Sequence, residues 1–145
     1  MIRVYTSSVI AAPVARVWAI IRDFNALPVW VPPIADSMIE DGLPADRVGC
    51  VRSFHTRDGG HLREKLVALS DSGHSCTYTI LDSPLGVTDY MATVQLTRIT
   101  DGDRTFAEWT AEFGCAAGRE AELTQFVGQG VFQAGFSKLQ TLCGG

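Results

Sequence analysis

VRSFHTRDGGHLREKL, residues 51–66, reads as a β-hairpin. Two runs of strand-forming residues flank Asp58-Gly59-Gly60, which supplies the positive φ that a tight turn needs. Side chains alternate between the two faces of a strand. Cys50, Arg52 and Phe54 therefore share one face of the first arm, and Leu62, Glu64, Leu66 and Ala68 share one face of the second. With the turn centred near Gly59, both sets line the same buried side of the sheet. Arg52 is then expected opposite Leu66 and diagonal to Glu64, within reach of long side chains. An unpaired buried charge is costly, so an arginine and a glutamate on this side demand at least each other.

Strand signals repeat on either side of the hairpin. ADSMIED and GCVRSFH are separated by a loop containing Gly42, Pro44 and Asp46. HLREKLVALSD is joined to HSCTYTILDS by Asp71-Ser72-Gly73. Pro84-Leu85-Gly86 precedes VTDYMATVQLTRI, and Asp101-Gly102-Asp103 leads into RTFAEWTAEF. Connections this short favour antiparallel neighbours in a meander. Upstream, RVYTSSVI is a β-branched first strand. APVARVWAIIRDF then predicts a helix, with Pro13 near its first turn and an apolar stripe of Val14, Val17, Trp18 and Ile21. NALPVWVPP carries three prolines and holds at most one short helical turn.

Residues 119–143 read as one long helix. Glu120, Glu122, Gln125, Gln129, Gln133 and Gln140 fall on one side, with Thr124, Val127, Gly128, Val131, Gly135, Lys138 and Leu142 opposite. Gly128, Gly130 and Gly135 each cost about 1 kcal/mol against alanine in a helix interior. Two explanations stand: close packing of helix on sheet, or small residues that leave space for something else. The second is how a long helix across a curved sheet would make a cavity.

At 145 residues the chain suits one domain, residues 1–145, able to bury roughly 70% of its unfolded surface. Composition is that of a globular protein, 46% hydrophobic and 19% charged, with a formal net charge of −4. Lysines and arginines are scattered singly, which argues against nucleic acid as a partner. No apolar run approaches the ~18 residues of a membrane span. The N-terminal MIRVYTSSVI lacks the ordered regions of a secretory signal, so a cytoplasmic location is the default expectation.

Cys50, Cys76, Cys115 and Cys143 are widely spaced, with no CxxC and no zinc-site spacing, and read as reduced packing residues. His55 and His61 flank the hairpin turn near the expected pocket mouth, where a solvated loop is their simplest role. His74 lies in the next turn and is expected to be exposed. Three separated histidines do not make a metal site, and neither a Ser-His-Asp arrangement nor a phosphate or dinucleotide loop is present. No cofactor or metal is expected.

The order strand, helix pair, six-strand meander, long C-terminal helix resembles the START-like or Bet v 1-like helix-grip domains, and within them the bacterial polyketide cyclase/dehydrase and lipid-transport branch. APVARVWAIIRDFNALPVW, VGCVRSF, REKLVALSD, YTILDSPLGVTDYMATVQL and EWTAEF carry the resemblance across nearly the whole chain. It implies an α+β helix-grip fold: about seven curved antiparallel strands wrapped around the C-terminal helix, with two short helices after the first strand. The same segments are similar to those of the plant abscisic-acid receptors. By position, that similarity places Arg52, Glu64, Tyr78 and Tyr90 around a cavity. The receptors' hormone-binding lysine is matched by Val31, and their gate and latch motifs by RDGG and Leu85-Gly86-Val87. The resemblance thus implies a pocket without implying that hormone or its phosphatase partner.

Three readings of the polar cluster remain open. Arg52 and Glu64 are a buried pair holding strands in register; or, with Tyr90, they form a hydrated patch that orients a ligand bearing hydroxyl or carbonyl groups. In the third, Glu64 is a general base with Arg52 stabilising an enolate or oxyanion, and Tyr90 completes a catalytic set. An arginine beside a glutamate lowers the carboxylate's pKa and weakens it as a base, which ranks binding above catalysis. Apolar lining is expected from Phe54, Leu66, Ile80, Ala92, Trp109 and Ala111. Val127, Val131 and Gly135 would add to it from the helix, and Phe24, Trp30 and Ile34 lie near one end. The Gly59-Gly60 turn and the Pro84-Leu85-Gly86 loop are expected at the pocket entrance.

The expected function is binding or transport of a small hydrophobic or amphipathic molecule by a monomer or weak homodimer with no integral membrane association. The alternatives are a polyketide cyclase or dehydratase, and a co-chaperone-like interaction module.

Overall fold

The computed structural model describes residues 1–144. β1 (Ile2–Ile10) leads into α1 (Val14–Ile21) and the single turn α2 (Leu27–Trp30). β2 (Ile34–Ile39), β3 (Val51–Thr56) and β4 (His61–Ser70) follow, then β5 (Ser75–Asp82), β6 (Val87–Ile99) and β7 (Arg104–Cys115). The last element is α3, residues 120–143. The strands make one seven-stranded antiparallel sheet in the order β1-β7-β6-β5-β4-β3-β2. β2 to β7 are the expected meander, and β1 returns to pair with β7, Ile2 opposite Phe113 and Ile10 opposite Thr105. This is the α+β helix-grip architecture, a curved sheet closed over α3.

The hairpin register differs from expectation by two residues. Arg52 lies directly opposite Glu64, and Phe54 opposite Leu62. The Thr56 amide donates to the Gly60 carbonyl, so the loop is Arg57-Asp58-Gly59 with Gly59 at φ 94°. A three-residue loop ending in a left-handed glycine centres the turn on Asp58, which removes the offset assumed from a Gly59 centre.

Bulges bend the sheet around its contents. Leu81 of β5 and Val67 of β4 are extra residues in the β4–β5 ladder, at either end of the matched stretch from Glu64–Ile80 to Leu66–Tyr78. Past the second bulge the alternation of β4 inverts: Ala68, expected inward, is exposed, and Leu69 packs against the core instead. A third bulge lies in β6, where Asp89 adopts φ 51° and Tyr90 turns inward. The Thr79 hydroxyl donates to the Tyr90 carbonyl at 2.7 Å and pins that bulge.

α3 has the expected length but not the expected face. Its middle, Phe126–Gln133, is π-helical between the α-helical stretches Glu120–Gln125 and Ala134–Cys143. The buried positions are Leu123, Val127, Gly128, Phe132, Gly135, Phe136, Leu139 and Cys143. Thr124, Lys138 and Leu142, expected inward, are exposed. The step from Val127 to Phe132 is one residue longer than an α-helical i+4 step, as a wider π turn allows, and it re-phases everything downstream. Phe132 stacks on Trp109 with ring centroids 4.1 Å apart, and the Trp30 ring lies 5.0 Å from that of Trp109.

Candidate functional site

The paired positions Arg52 and Glu64 put both side chains on the inner face of the sheet, 4% and 5% exposed. Arg52 donates through Nε at 2.9 Å and Nη2 at 2.7 Å to one oxygen, Glu64 Oε1. Its third nitrogen, Nη1, donates to the Phe24 carbonyl at 3.2 Å in the link between α1 and α2. The guanidinium carbon lies 3.8 Å from the centre of the Phe24 ring and 4.7 Å from that of Tyr78. All three nitrogens are engaged, and two aromatic rings lie against the guanidinium. Glu64 Oε2 accepts no hydrogen bond among the described residues.

Glu64 lines a cavity of about 70 Å³ between the sheet and α3. Its floor is buried: Arg52, Glu64, Tyr78, Tyr90 and Trp109. The Trp109 indole donates to the Tyr78 hydroxyl at 3.2 Å. Leu27, Val31, Ile34, Phe54, Leu62 and Val127 supply an apolar wall. The mouth consists of partly exposed side chains, Pro33, Thr56, Ile80, Leu85 and Val131, with Phe126 41% exposed. Arg119 Nη1 donates to the Leu85 carbonyl at 2.6 Å and ties the β5–β6 loop to the start of α3.

Burial dominates the electrostatics. Desolvation raises the Glu64 carboxyl above its ordinary pKa of 4.5, against the opposing pull of Arg52. This corrects the expectation that arginine would lower it: within the core, loss of water outweighs a partner that contacts only one oxygen. Burial, reinforced by the Glu64 charge, also raises the phenols of Tyr78 and Tyr90 well above their usual range, so both stay protonated donors.

Residues 1–144 match the family described as polyketide cyclase / dehydrase and lipid transport. The chain belongs to that family. No curated protein matches it. Among solved structures it is similar to the protein XoxI from Bacillus cereus, with 29% identity over 99% of this chain and 96% of that one and a TM-score of 0.88. It is also similar to a putative uncharacterized protein from Bacillus thuringiensis, with 30% identity over 97% and 98% of the two chains and a TM-score of 0.85. A solution structure from Thermobifida fusca gives 30% identity over 97% of this chain and 91% of that one, with a TM-score of 0.86.

In this member of the polyketide cyclase/dehydrase and lipid transport family, the cavity brings together Arg52, Phe54, Glu64, Tyr78, Ile80, Tyr90, Trp109, Val127 and Val131. Leu66, Ala92 and Gly135 are buried but lie off the wall. At Gly135 a Cβ would stand 3.1 Å from the Trp30 ring and 3.2 Å from that of Trp109; at Gly128 it would stand 3.4 Å from Val4. Gly135 therefore serves close packing, the first of the two explanations, whereas a Cβ at Gly128 would make only an ordinary contact. Sequence reasoning did not single out Leu27, Pro33, Thr56 or Phe126 as lining. Phe126 looks like a plain surface residue until the π turn swings it over the mouth.

The histidines are elsewhere. His55 and His61 face each other on the outer side of β3–β4, rings stacked at 4.9 Å, with His55 Nδ1 2.9 Å from Asp36 and His61 Nε2 2.7 Å from the Ser53 hydroxyl. His74, expected to be exposed, is half-buried with its ring edge-on to Trp18 at 5.7 Å. Among the described residues no group of three or more His, Cys, Asp or Glu is placed to hold a metal ion. No helix among them is long and apolar enough to cross a membrane.

Proposed function

We propose that this chain holds a small hydrophobic or amphipathic molecule in the cavity between the sheet and α3. The observation that carries the reading is the contrast within one space: a buried floor bearing the Arg52–Glu64 pair and two tyrosines, under an apolar wall and a partly exposed mouth. A volume of about 70 Å³ admits a few waters, whereas small-molecule sites span roughly 300–1,000 Å³. A ligand must therefore widen the mouth. Ile80, Leu85, Phe126 and Val131 already meet solvent and can turn outward while Trp109 and Phe132 keep the core closed.

Native mass spectrometry of gently purified protein, with extraction and identification of any bound molecule, tests this. An adduct on the wild type that is lost in Val131→Trp, which fills the mouth from α3, is the expected result. Wild-type protein that carries nothing, and whose lining amides do not respond to small aromatic probes, overturns it.

One observation favours a second reading, a cyclase or dehydratase acting on a polyketide-like substrate. The proton affinity of Glu64 is raised above that of a free carboxyl, the direction that strengthens a general base. Against it, the Arg52 charge is already paired with Glu64, and each of its three nitrogens donates to a protein acceptor. Glu64→Gln separates the readings: a carrier changes in affinity alone, while an enzyme still binds substrate and loses turnover by ~10²-fold or more.

A further inference from the structure

We infer that the polar end of the cavity selects a ligand by a hydrogen-bond donor, an alcohol or phenol hydroxyl on an apolar body, and turns away carboxylates. This rests on the proposed binding function and specifies the chemistry that the site takes. A guanidinium in an apolar pocket would ordinarily suggest an anion site. Here that role is spent inside the protein. Arg52 Nε and Nη2 go to Glu64 Oε1 and Nη1 goes to the Phe24 carbonyl, with the Phe24 and Tyr78 rings over the guanidinium.

Beside the Tyr78 and Tyr90 hydroxyls, the acceptor that remains for a ligand is the other carboxylate oxygen. Glu64 is 5% exposed and lines the cavity; Oε2 has no hydrogen bond among the described residues, yet it is not among the fully enclosed unpartnered atoms. A buried carboxylate oxygen without a partner attracts a donor, and a hydrogen bond to a charged group contributes more than a neutral one. A ligand carboxylate would instead meet Glu64 with like charge and no unused cation. A methyl ether, an acceptor alone, would leave Oε2 as it is.

The test uses three probes that share a ring and a methyl group: p-cresol, 4-methylanisole and 4-methylbenzoate. Each is titrated into the ¹⁵N-labelled full chain and followed by the amides of Glu64 and Ile80. The expected result is p-cresol binding about tenfold or more tighter than either other probe. In Glu64→Gln, Arg52 retains the amide oxygen and the cavity is offered an NH₂ donor, so the preference for p-cresol over 4-methylanisole collapses. A wild-type measurement guards against misfolding of the variant: the Glu64 carboxyl carbon resonance shifts on adding p-cresol and stays in place with 4-methylanisole. Equal binding of the three probes, or tighter binding of 4-methylbenzoate, overturns donor selection and leaves the pocket standing. Failure of all three to bind overturns the pocket reading, and this inference with it.

Discussion

Arg52 reaches Glu64 with two nitrogens on one oxygen, across a directly paired position of β3 and β4. Removing one partner leaves the other charged and buried. Arg52→Met alone is expected to lose about 3–5 kcal/mol in urea unfolding, whereas Arg52→Met/Glu64→Leu recovers most of it. Single and double variants that are equally unstable would show that the pair is not coupled.

The raised Glu64 carboxyl gives a pH signature of definite sign. A group that holds its proton more tightly when folded contributes less stability as pH rises from its unfolded value of 4.5 through its folded one. The stability of the wild type relative to Glu64→Gln should therefore fall across that window. A rise over the same range would mean that Arg52, rather than burial, controls the carboxyl.

Asp71 has the opposite sign. Hydrogen bonds from Arg22 and the Trp18 indole lower its carboxyl to about 2. Its contribution is present above the ordinary value of 3.8 and disappears as pH falls through the folded one. Asp71→Asn should flatten acid unfolding in that range, seen by Trp fluorescence against pH.

Two glycines of α3 should respond oppositely to alanine. At Gly135 the new Cβ meets packed indole rings at 3.1 and 3.2 Å, and about 1–3 kcal/mol is lost. At Gly130 it meets the Phe126 ring at 3.3 Å. Phe126 is partly exposed and can yield, so Gly130→Ala gains up to about 1 kcal/mol. Thermal unfolding of both variants checks the contrast.

Asp89 is a non-glycine residue at φ 51° in the β6 bulge. Asp89→Gly should leave stability equal or up to ~1 kcal/mol higher, and Asp89→Val should lower it by ~1–2 kcal/mol. A stable Asp89→Val protein would show that the bulge relaxes, and the Tyr90 ring resonances would then move with it.

The alternation of apolar residues made most of the fold legible. β6 begins at Val87 and ends at Ile99, where its residues suggest, and β7 alternates inward at Thr105, Ala107, Trp109, Ala111 and Phe113. The face shared by Arg52 and Glu64 was readable for the same reason. What escaped were departures from regular period. A three-residue loop moved the register by two, the Val67 bulge turned Ala68 outward, and the π turn re-phased α3. Each depends on whether one residue is inserted or skipped, which tertiary packing decides. The upward shift of the Glu64 carboxyl escaped too, because depth of burial is a property of the assembled core.

β1 has its ladder partner in β7, with Ile2 opposite Phe113. Strands β2 to β7 can zip progressively, each beside a neighbour just made. β1 cannot. It must remain uncommitted until residues of β7 exist, and the loop closed by their meeting spans most of the described chain. Such long-range pairing slows folding, because closure entropy is lost before the contacts form. Until then the inner face of β7, with Trp109 at its centre, is open along one edge. The order of synthesis thus makes joining the first strand to the last the step that completes the sheet.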